Sequence, residues 1–455
     1  MSPSRKRKAS QAFSQNDQTP RYPFEKKGIS NIQQGRHALE WLIHPVSLEE
    51  FFSSCFEKTP KLLRNDSSKF SNITSIAQIK GLVFSGKLQY GKQVDVTHYD
   101  TEKGRITLNE TGVCNKNAWN KFESNGYSLR LLRPQQHIES IYRLCAYLEA
   151  FVECMVGANI YLTPAKSQGF APHFDDIDAF ICQIEGQKRW RVYKQRADGL
   201  DHLPRKSSID FDQEEVEEAG CYLDVVLREG DVLYLPRGYV HQAETSNVHS
   251  LHVTISMFQQ WTWADLLLRS FKVAIESAAA QDMRLRRTLP LRFTSFMGLS
   301  NANGDQKKRR RFEEKFYKMF ESVIDKYPID SAADAMAELF MQQRLPPPIA
   351  ANRNDSEQNV HLNSVVKCTA GAVARVIMGS DGLPMLLNSL SNSKESTGCR
   401  GESSKCLPAE AFAVDKLLKA YPHSVRVRDV TMAKEQDRID LVEGLIDMGL
   451  VKVVR

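Results

Sequence analysis

Residues 167–180, with the sequence SQGFAPHFDDIDAF, form the stretch that decides the fold. Within it, His173 and Asp175 are separated by one residue. On an extended strand, residues two apart point to the same face, so this imidazole and this carboxylate are expected to converge on one point. An HxD triplet alone is common by chance, but imidazole and carboxylate together are typical metal ligands. The stretch therefore predicts two ligands of a metal site on a β-strand.

A second stretch, residues 228–244 with the sequence REGDVLYLPRGYVHQAE, supplies the third candidate ligand. A Gly-Asp pair turns the chain into an apolar strand, a Pro-Arg-Gly turn ends that strand, and His241 follows. Two histidines and one carboxylate form the facial triad of a non-haem Fe(II) site, which leaves one face of the octahedral ion open. The structural alternative is a set of core histidines with satisfied hydrogen bonds. We expect the adjacent Asp176 and Asp178 to support the site or lie on the surface rather than bind the metal.

Zinc in the same ligands is the chemical alternative to iron. The sequence contains no HExxH helix of the zinc hydrolases, and zinc would not activate dioxygen. We therefore favour iron.

The surroundings of these two stretches predict a β-rich core between helical blocks. From residue 157 to 258, short runs rich in Val, Ile, Tyr and Phe alternate with Gly and Pro turns, as in an all-β sandwich or barrel. The run IESIYRLCAYLEAFVECMV before it has apolar residues at helical spacing and predicts one buried helix. From 261 to 345 the pattern is helical again, and it ends at three consecutive prolines.

The segments NIYLTPAKSQGFAPHFDDIDAF, QIEGQKRWRVY, GDVLYLPRGYVHQAE and HSLHVTIS resemble the JmjC-type ribosomal oxygenases. These are Fe(II)/2-oxoglutarate enzymes described as bifunctional lysine-specific demethylases and histidyl hydroxylases, and the resemblance is greatest to the nucleolar member. It covers residues 40–345 well and 359–455 loosely. It implies an α+β protein with a double-stranded β-helix core (a JmjC/cupin jelly roll), a helical dimerisation domain and a C-terminal winged helix.

The resemblance also implies a division of the chain into domains. We expect a disordered basic tail over 1–28, the JmjC catalytic domain with its N-terminal α/β elements over 29–260, the helical dimerisation domain over 261–348, and the winged-helix domain over 359–455. The apolar stripes of the helical domain favour a homodimer, with a monomeric helical cap as the alternative.

The resemblance assigns further site residues. His173, Asp175 and His241 are the implied ligands of Fe(II) and the catalytic centre, and Lys188 with Thr254 is implied to bind the distal carboxylate of 2-oxoglutarate, the co-substrate. The implied substrate-binding residues are Arg130, Asn159, Tyr161 and Ser256. Period-two counting agrees, because Asn159 and Tyr161 share one face of their strand, as Thr254 and Ser256 do of theirs. The alternative is that these polar residues only satisfy each other.

The implied reaction is hydroxylation of a histidine β-carbon in a ribosomal protein of the large subunit. Lysine demethylation of a histone is the alternative reaction, and a non-catalytic scaffold that binds chromatin or RNA is the alternative class of protein. We see no aromatic cage for a methylammonium ion in the sequence. The hydrogen-bonding groups of the predicted pocket favour a histidine.

Composition and charge point to a nuclear protein of a reducing compartment. The chain has 455 residues and nine scattered cysteines without a CxxC pair, so no disulfide framework is expected. No apolar run approaches the ~20 residues of a membrane span. Residues 1–28 carry +5 of the net charge of +6, which makes the basic character a property of the tail and suits import into the nucleus and nucleolus. A second basic run, 307–311, is either another import element or the first turn of a helix.

The predicted winged helix is nearly neutral. Residues 359–455 contain thirteen Lys and Arg against eleven Asp and Glu. Because phosphate binding needs excess positive charge, direct nucleic-acid binding by this domain is doubtful, and we expect a packing or protein-contact role.

Overall fold

The computed structural model describes residues 22–100, 104–195, 202–325, 327–348, 359–379, 382–395 and 402–454. Most of the predicted basic tail, residues 1–21, lies outside these ranges. Residues 22–28, which the sequence assigns to the same tail, instead pack onto the folded protein. Phe24 is fully buried with its ring 5.4 Å from that of Trp41, and Glu25 pairs with Arg143 at 2.5 Å. The tail prediction extends too far because this polar stretch contains an aromatic side chain with a hydrophobic site to fill.

The helices of the described chain are α1 (Asn31–Ile43), α2 (Leu48–Glu50), α3 (Ile76–Phe84), α4 (Lys116–Asn125), α5 (Glu139–Val152), α6 (Gln213–Ala219), α7 (Trp263–Gln281), α8 (Gln306–Ile324), α9 (Ile329–Gln343), α10 (Pro408–Lys419) and α11 (Glu435–Asp447). The buried helix predicted before the β region is α5, and its burial is almost complete. No helix in the described ranges is both long enough and apolar enough to cross a membrane.

The strands are β1 (Lys61–Leu63), β2 (Val94–Asp100), β3 (Gly104–Thr107), β4 (Ser128–Leu132), β5 (Gly157–Thr163), β6 (Asp178–Tyr193), β7 (Cys221–Arg228), β8 (Val232–Leu235), β9 (His241–Glu244), β10 (Ser250–Met257), β11 (Val365–Cys368), β12 (Ala374–Met378), β13 (Pro384–Asn388), β14 (Glu402–Lys405), β15 (Val425–Arg426) and β16 (Val451–Val454). Every β-run predicted between residues 157 and 258 contributes at least one of these strands.

The long strand β6 organises the catalytic core, because its two halves belong to two different sheets. Its first half pairs antiparallel with β8 on one side and β10 on the other. Its second half pairs with β7 and β9. Gly186 separates the halves at φ +68°, and a Cβ there would lie 2.0 Å from the carbonyl oxygen of His249, so only glycine fits. The two sheets form the double-stranded β-helix that the resemblance predicts.

The main hydrophobic core lies between the larger sheet and the N-terminal helices. The sheet order is β1-β8-β6-β10-β5-β4-β2-β3, and α1 and α5 pack together against it. Ser30 caps α1 through a reciprocal hydrogen-bond pair with Gln33, which fixes where the helix begins. This layer supports the sheet from the side opposite the cavity described below.

The helical part of the chain has a small core of its own. Ala274, Ala278 and Val323 are its buried apolar residues, while Trp263 is 82% exposed and Phe316 is 55% exposed. α7 begins at a capping box in which Thr262 and Asp265 bond reciprocally. Apolar surface of this extent is typical of an interaction site.

A buried carboxylate joins the end of α9 to α5. Glu149 of α5 is fully buried and accepts hydrogen bonds from the main-chain N–H groups of Val156 at 3.2 Å and Leu345 at 2.8 Å. Burial raises the pKa of Glu149 to about 7. The neighbouring Arg344 is also fully buried and donates to the carbonyl oxygen of Ala372, at the start of the C-terminal unit. The end of α9 is therefore joined to both α5 and the C-terminal unit.

Two helical glycines give opposite predictions for substitution by alanine. A Cβ on Gly35 would lie 2.0 Å from the carbonyl oxygen of Tyr147, because α1 and α5 approach closely there, whereas a Cβ on Gly81 of α3 meets no atom within 4 Å. We expect Gly35→Ala to lower the free energy of unfolding by about 2–3 kcal/mol. Gly81→Ala is expected to raise it by roughly 0.5–1 kcal/mol through helix propensity.

Thermal unfolding of both variants beside the parent protein measures the difference. A Gly35→Ala protein with an unchanged melting temperature would contradict the close packing of α1 on α5.

Candidate active site

Two histidines are held side by side by their own main chains. The N–H of His241 donates to the carbonyl oxygen of His173 at 2.9 Å, and the N–H of His173 donates to that of His241 at 3.2 Å. Their ring centroids lie 4.7 Å apart. The sequence predicts a strand around His173, but the structure has a single antiparallel bridge there, because the turn-forming residues around it leave only this residue paired. That one bridge is sufficient to bring the two rings together.

Both rings have the same nitrogen committed to the main chain. Nδ1 of His173 lies 2.8 Å from the carbonyl oxygen of Ala171, and Nδ1 of His241 lies 3.0 Å from that of Tyr239. Because a carbonyl can only accept, each Nδ1 carries the proton, and each Nε2 keeps a free lone pair. Burial is the main cause that lowers the pKa of His241, to about 4, and the neighbouring His173 lowers it further. The neutral form, which is the form that binds metal ions, is therefore favoured for His241.

Asp175 completes the cluster. Its Oδ2 lies 3.9 Å from Nε2 of His241, and one ligand atom from each of His173, Asp175 and His241 lies within 4.8 Å of the others. No fourth His, Cys, Asp or Glu of the described residues joins this group. Two imidazoles and one carboxylate with no further protein ligand fit an octahedral iron that keeps one face open.

The cluster opens into a cavity of about 270 Å³ between the two sheets. Lys188, from the second half of β6, is 4% exposed and lines this cavity. Its Nζ donates to Oγ1 of Thr163 at 3.0 Å, and no described carboxylate lies within ion-pair distance. Burial lowers the pKa of Lys188 to about 7. A buried ammonium with a single hydroxyl partner is a binding position for a carboxylate from outside the protein.

The structure places most of the other predicted residues at the same cavity. Arg130, Asn159, Tyr161 and Thr254 line it, together with the metal cluster and Lys188. Ser256 points the same way along β10 but lies two residues beyond Thr254, outside the lining. The polar residues predicted from the sequence therefore line one cavity, except Ser256, which lies outside the lining.

His252 is a buried residue of the cavity, for which the sequence predicts a structural or supporting role. Its ring stacks on that of Tyr161, with centroids 4.8 Å apart and an interplanar angle of 12°. Trp190 approaches its edge at 5.4 Å. Burial lowers the pKa of His252 well below its ordinary value, followed by the effect of Lys188. A neutral imidazole here holds the Tyr161 ring in place.

Two arginines flank Phe170 on one side of the cavity, and only one of them is predicted by the sequence. Arg130 donates to Asp95 at 2.6 Å, and its guanidinium lies 5.7 Å from the Phe170 ring centroid. Arg105, on β3, lies 4.7 Å from the same centroid. Arg105 belongs to a short edge hairpin, and nothing in its local pattern indicates a cavity. It reaches the site through strand pairing that is not encoded nearby.

A second group missed by the sequence supports the metal cluster from outside. Phe174, between the two candidate ligands, exchanges hydrogen bonds with Ser208: the N–H of Ser208 donates to its carbonyl at 3.0 Å, and its own N–H donates to the Ser208 hydroxyl at 2.9 Å. Asp176 accepts from Ser207 at 2.8 Å. Arg205 of the same segment pairs with Asp265, which forms the capping box of α7 with Thr262. The segment therefore connects the cluster to the helical part.

The two acids beside the cluster do not join it, as the sequence predicts. Asp176 is bound to Ser207 at the surface. Asp178 is fully buried, accepts from Tyr234 at 2.6 Å and from Arg237 at 3.1 Å, and its pKa is raised by burial to about 6. Arg189, next to Lys188 in sequence, pairs with Asp224 on the outer face of the sheet.

Two protein-family models match this chain. Residues 130–266 match the model described as JmjC domain, and residues 347–454 match the model described as Ribosomal oxygenase 1, C-terminal winged helix domain. The first range contains every predicted site residue.

Curated relatives extend over most of the chain. A protein of Aedes aegypti named bifunctional lysine-specific demethylase and histidyl-hydroxylase NO66 is 35% identical, over 97% of this chain and 72% of its own length. Ribosomal oxygenase 1 of Danio rerio is 34% identical, over 90% of this chain and 78% of its own. Among solved structures, the ribosomal oxygenase YcfD of Escherichia coli with cobalt and 2-oxoglutarate is 14% identical, with a TM-score of 0.46 over 90% of this chain and 99% of its own.

Because Lys188 carries a buried ammonium group, we expect this residue to lower the free energy of unfolding of the protein. Its native pKa of about 7 lies below the ~10.4 of an unfolded lysine, so the native state binds fewer protons between these values and its stability rises with pH across that window. The cost is fully present below pH 7. We expect Lys188→Met to raise the free energy of unfolding by about 2 kcal/mol at pH 6, and the gain to shrink toward pH 9.

Melting temperatures of ligand-free parent and variant between pH 6 and pH 9 provide the measurement. Lys272→Met is the matched control, because Lys272 lies on the surface of α7 and should change little. A Lys188→Met protein that is less stable than the parent throughout this range would contradict the uncompensated charge.

Proposed function

Because this chain belongs to the family of JmjC-domain ribosomal oxygenases, we propose that it hydroxylates the β-carbon of a histidine in a large-subunit ribosomal protein, with Fe(II) and 2-oxoglutarate. The family and fold class predicted from the sequence are confirmed by the two matching models and by the relatives. The observation that carries the proposal is the combination, in one cavity, of a three-ligand cluster with a buried lysine that has no carboxylate partner.

The residues of the cluster fit an iron ion. We assign His173, Asp175 and His241 as its ligands, since both imidazoles keep Nε2 free and no further described ligand joins them. The hydrogen bonds from Nδ1 to main-chain carbonyls fix the tautomer and orientation of each ring before the metal arrives. His173 and His241 therefore need no reorganisation to bind.

The residues around Lys188 fit 2-oxoglutarate. Its Nζ would pair with the distal carboxylate, with Thr254 on the neighbouring strand as a second hydroxyl beside Thr163. That ion pair would neutralise a buried charge that has no carboxylate of the described residues within ion-pair distance, and it would raise the pKa of Lys188 toward its ordinary value. Bound together, Fe(II) and 2-oxoglutarate supply the oxidising chemistry that inserts an oxygen atom from dioxygen into a C–H bond.

The remaining task of the chain is to aim one C–H bond at the metal. Tyr161 projects into the cavity with its ring held by His252, and its hydroxyl lies in reach of Arg130. This hydroxyl and the amide of Asn159 can bond the ring nitrogens of a substrate imidazole. Ser256 lies farther along the strand, where its hydroxyl would meet the substrate outside the lining.

Electrostatics favours a histidine over a methyl-lysine as the target, although the names of the relatives include both activities. The aromatic residues of the cavity wall are Tyr161, Phe170 and Trp190. One face of Tyr161 is stacked on His252, Phe170 lies near the guanidiniums of Arg105 and Arg130, and Nζ of Lys188 lies 5.8 Å from the Trp190 ring centroid. A methylammonium ion would therefore meet the positive charges of Arg105, Arg130 and Lys188 at this wall.

The same proposal covers the oligomeric state, the location in the cell and the domain boundaries. We assign the helical part, within the proposed bounds 261–348, to a homodimer interface, because Trp263, Leu268 and Phe316 leave it with a large exposed apolar surface. The basic tail suits import, so we propose a nuclear and nucleolar location for the protein. We also propose that the chain divides into a catalytic domain over 29–260, a helical domain over 261–348 and a winged-helix domain over 359–455.

The reaction is tested with ribosomal proteins of the large subunit, Fe(II) and 2-oxoglutarate. The parent protein should form succinate and add one oxygen atom to a histidine, as read by peptide mass spectrometry. His241→Ala should lower the rate by at least about 100-fold, because the cluster then holds only two ligands. His202→Ala is the control, since His202 is exposed and does not line the cavity.

Two outcomes would contradict the proposal. Equal succinate formation by the parent and by His241→Ala would favour a scaffold that keeps the barrel without the reaction. Release of formaldehyde from methylated histone peptides, with no oxidised histidine in any ribosomal protein, would make lysine demethylation the activity.

A further inference from the structure

Helix α8 carries a second concentration of positive charge, separate from the N-terminal tail. Its nineteen residues include seven Lys and Arg against three Glu, a net charge of +4. Residues 261–348 together carry the same +4, and the net −4 of residues 29–260 hides this charge in the total of the chain. In the folded protein the excess positive charge of the helical part therefore lies on one helix.

The basic residues of α8 are arranged on one face. Lys307, Arg311, Lys315 and Lys318 follow each other at spacings of four, four and three residues, which places them in one row about 16 Å long. We call these four residues the basic stripe. All four are exposed. The stripe also borders a shallow surface depression lined by three basic residues and one acidic residue, with a glutamine at its end: Lys307, Arg310, Arg311, Glu314 and Gln306.

The opposite face of α8 holds the helix on the protein. Phe312 stacks on Phe293 with centroids 5.8 Å apart, and Val323 is buried in the small helical core. Arg309, in the middle of the basic run, turns inward and donates to the carbonyl oxygen of Phe296 at 2.9 Å. The stripe therefore faces away from the protein, and also away from the exposed ring of Phe316 in the proposed dimer interface.

The charges of the stripe have no counter-ions within the described chain. Lys308 pairs with Asp305 and Arg309 with Glu313, but no described carboxylate lies within 4.0 Å of a cationic nitrogen of the stripe. Four unpaired cations in a row complement an equally regular row of negative charges, and the phosphates of a nucleic-acid backbone provide one. Tyr317 of the same helix is 62% exposed and offers a ring on which a base can stack.

We propose that the basic stripe of α8 binds single-stranded RNA through its phosphates. A membrane surface fits less well, because a helix lying in a bilayer inserts its apolar face, and that face of α8 contacts the protein. The binding goes beyond the hydroxylation proposed above and does not depend on it. It would hold the protein on ribosomal particles while the cavity acts on their protein component.

The test compares two triple variants of the full chain. The first, Lys307→Gln with Arg311→Gln and Lys315→Gln, removes three charges of the stripe. The matched control, Lys87→Gln with Lys92→Gln and Lys116→Gln, removes three exposed charges from the N-terminal elements. Binding of a fluorescein-labelled oligouridylate is followed by anisotropy over a range of KCl concentrations. Both variants keep the tail, so its contribution is the same in each.

We expect the stripe variant to bind at least roughly 10-fold more weakly at low salt, with the slope of log affinity against log salt reduced by about 2, as three lost phosphate contacts require. The control variant should bind like the parent. Equal affinities of parent and stripe variant, or equal losses in both variants, would overturn the proposal. Loss of binding to phosphatidylserine vesicles in the stripe variant, with RNA binding unchanged, would overturn it in favour of a membrane.

The rate of succinate formation with a short histidine-containing peptide distinguishes a failure of the RNA-binding proposal from a failure of the hydroxylation proposal. The stripe lies outside the cavity, so the stripe variant should retain the parent rate. A peptide reaction that fails in the parent as well would count against the hydroxylation alone.

Discussion

The site depends on one pair of main-chain hydrogen bonds, the mutual pairing of His173 and His241. This bridge joins the loop that enters β6 to the start of β9, two points 68 residues apart in the chain. It sets the separation of the rings, and the symmetric bonds from each Nδ1 to the carbonyl two residues earlier set their rotation. Because main-chain and ring bonds act together, the arrangement is rigid without any metal. Because the two rings are already held in place, less conformational entropy is lost when a metal ion binds.

The cavity beside this rigid pair of histidines has uncompensated positive charge in its wall. An apolar barrel would be more stable with a methyl group where Lys188 has its ammonium, and the depressed pKa of that lysine measures the imbalance. The two arginines beside Phe170 add further positive charge along the wall, compensated in part by Asp95. The resulting field attracts a dicarboxylate and disfavours a cationic substrate group.

What could be predicted from the sequence follows from periodicity. Alternation along strands is a local property, so Asn159 and Tyr161 could be placed on a common face without knowing how the strands pair. His173 and Asp175 also converge, but from an irregular stretch with a single bridge and not from the strand that the sequence predicts. The contacts that pairing alone creates could not be predicted: Thr163 as the partner of Lys188, Arg105 at the cavity, and Ser208 beside the cluster. Phe24 was missed for a related reason, since its burial depends on a site offered by α1.

The buried carboxylate of Glu149 has a consequence for how the protein comes into being. One of its two hydrogen-bond donors, the N–H of Leu345, belongs to a residue almost two hundred positions later. During vectorial synthesis the helix that carries Glu149 leaves the exit tunnel long before that donor exists, and the nascent barrel holds a partly satisfied acid in its interior. Because Arg344 and the Leu345 N–H both lower the pKa of Glu149, burial without them favours the protonated carboxyl group. Maturation of the catalytic core therefore finishes only after the downstream helices have been translated.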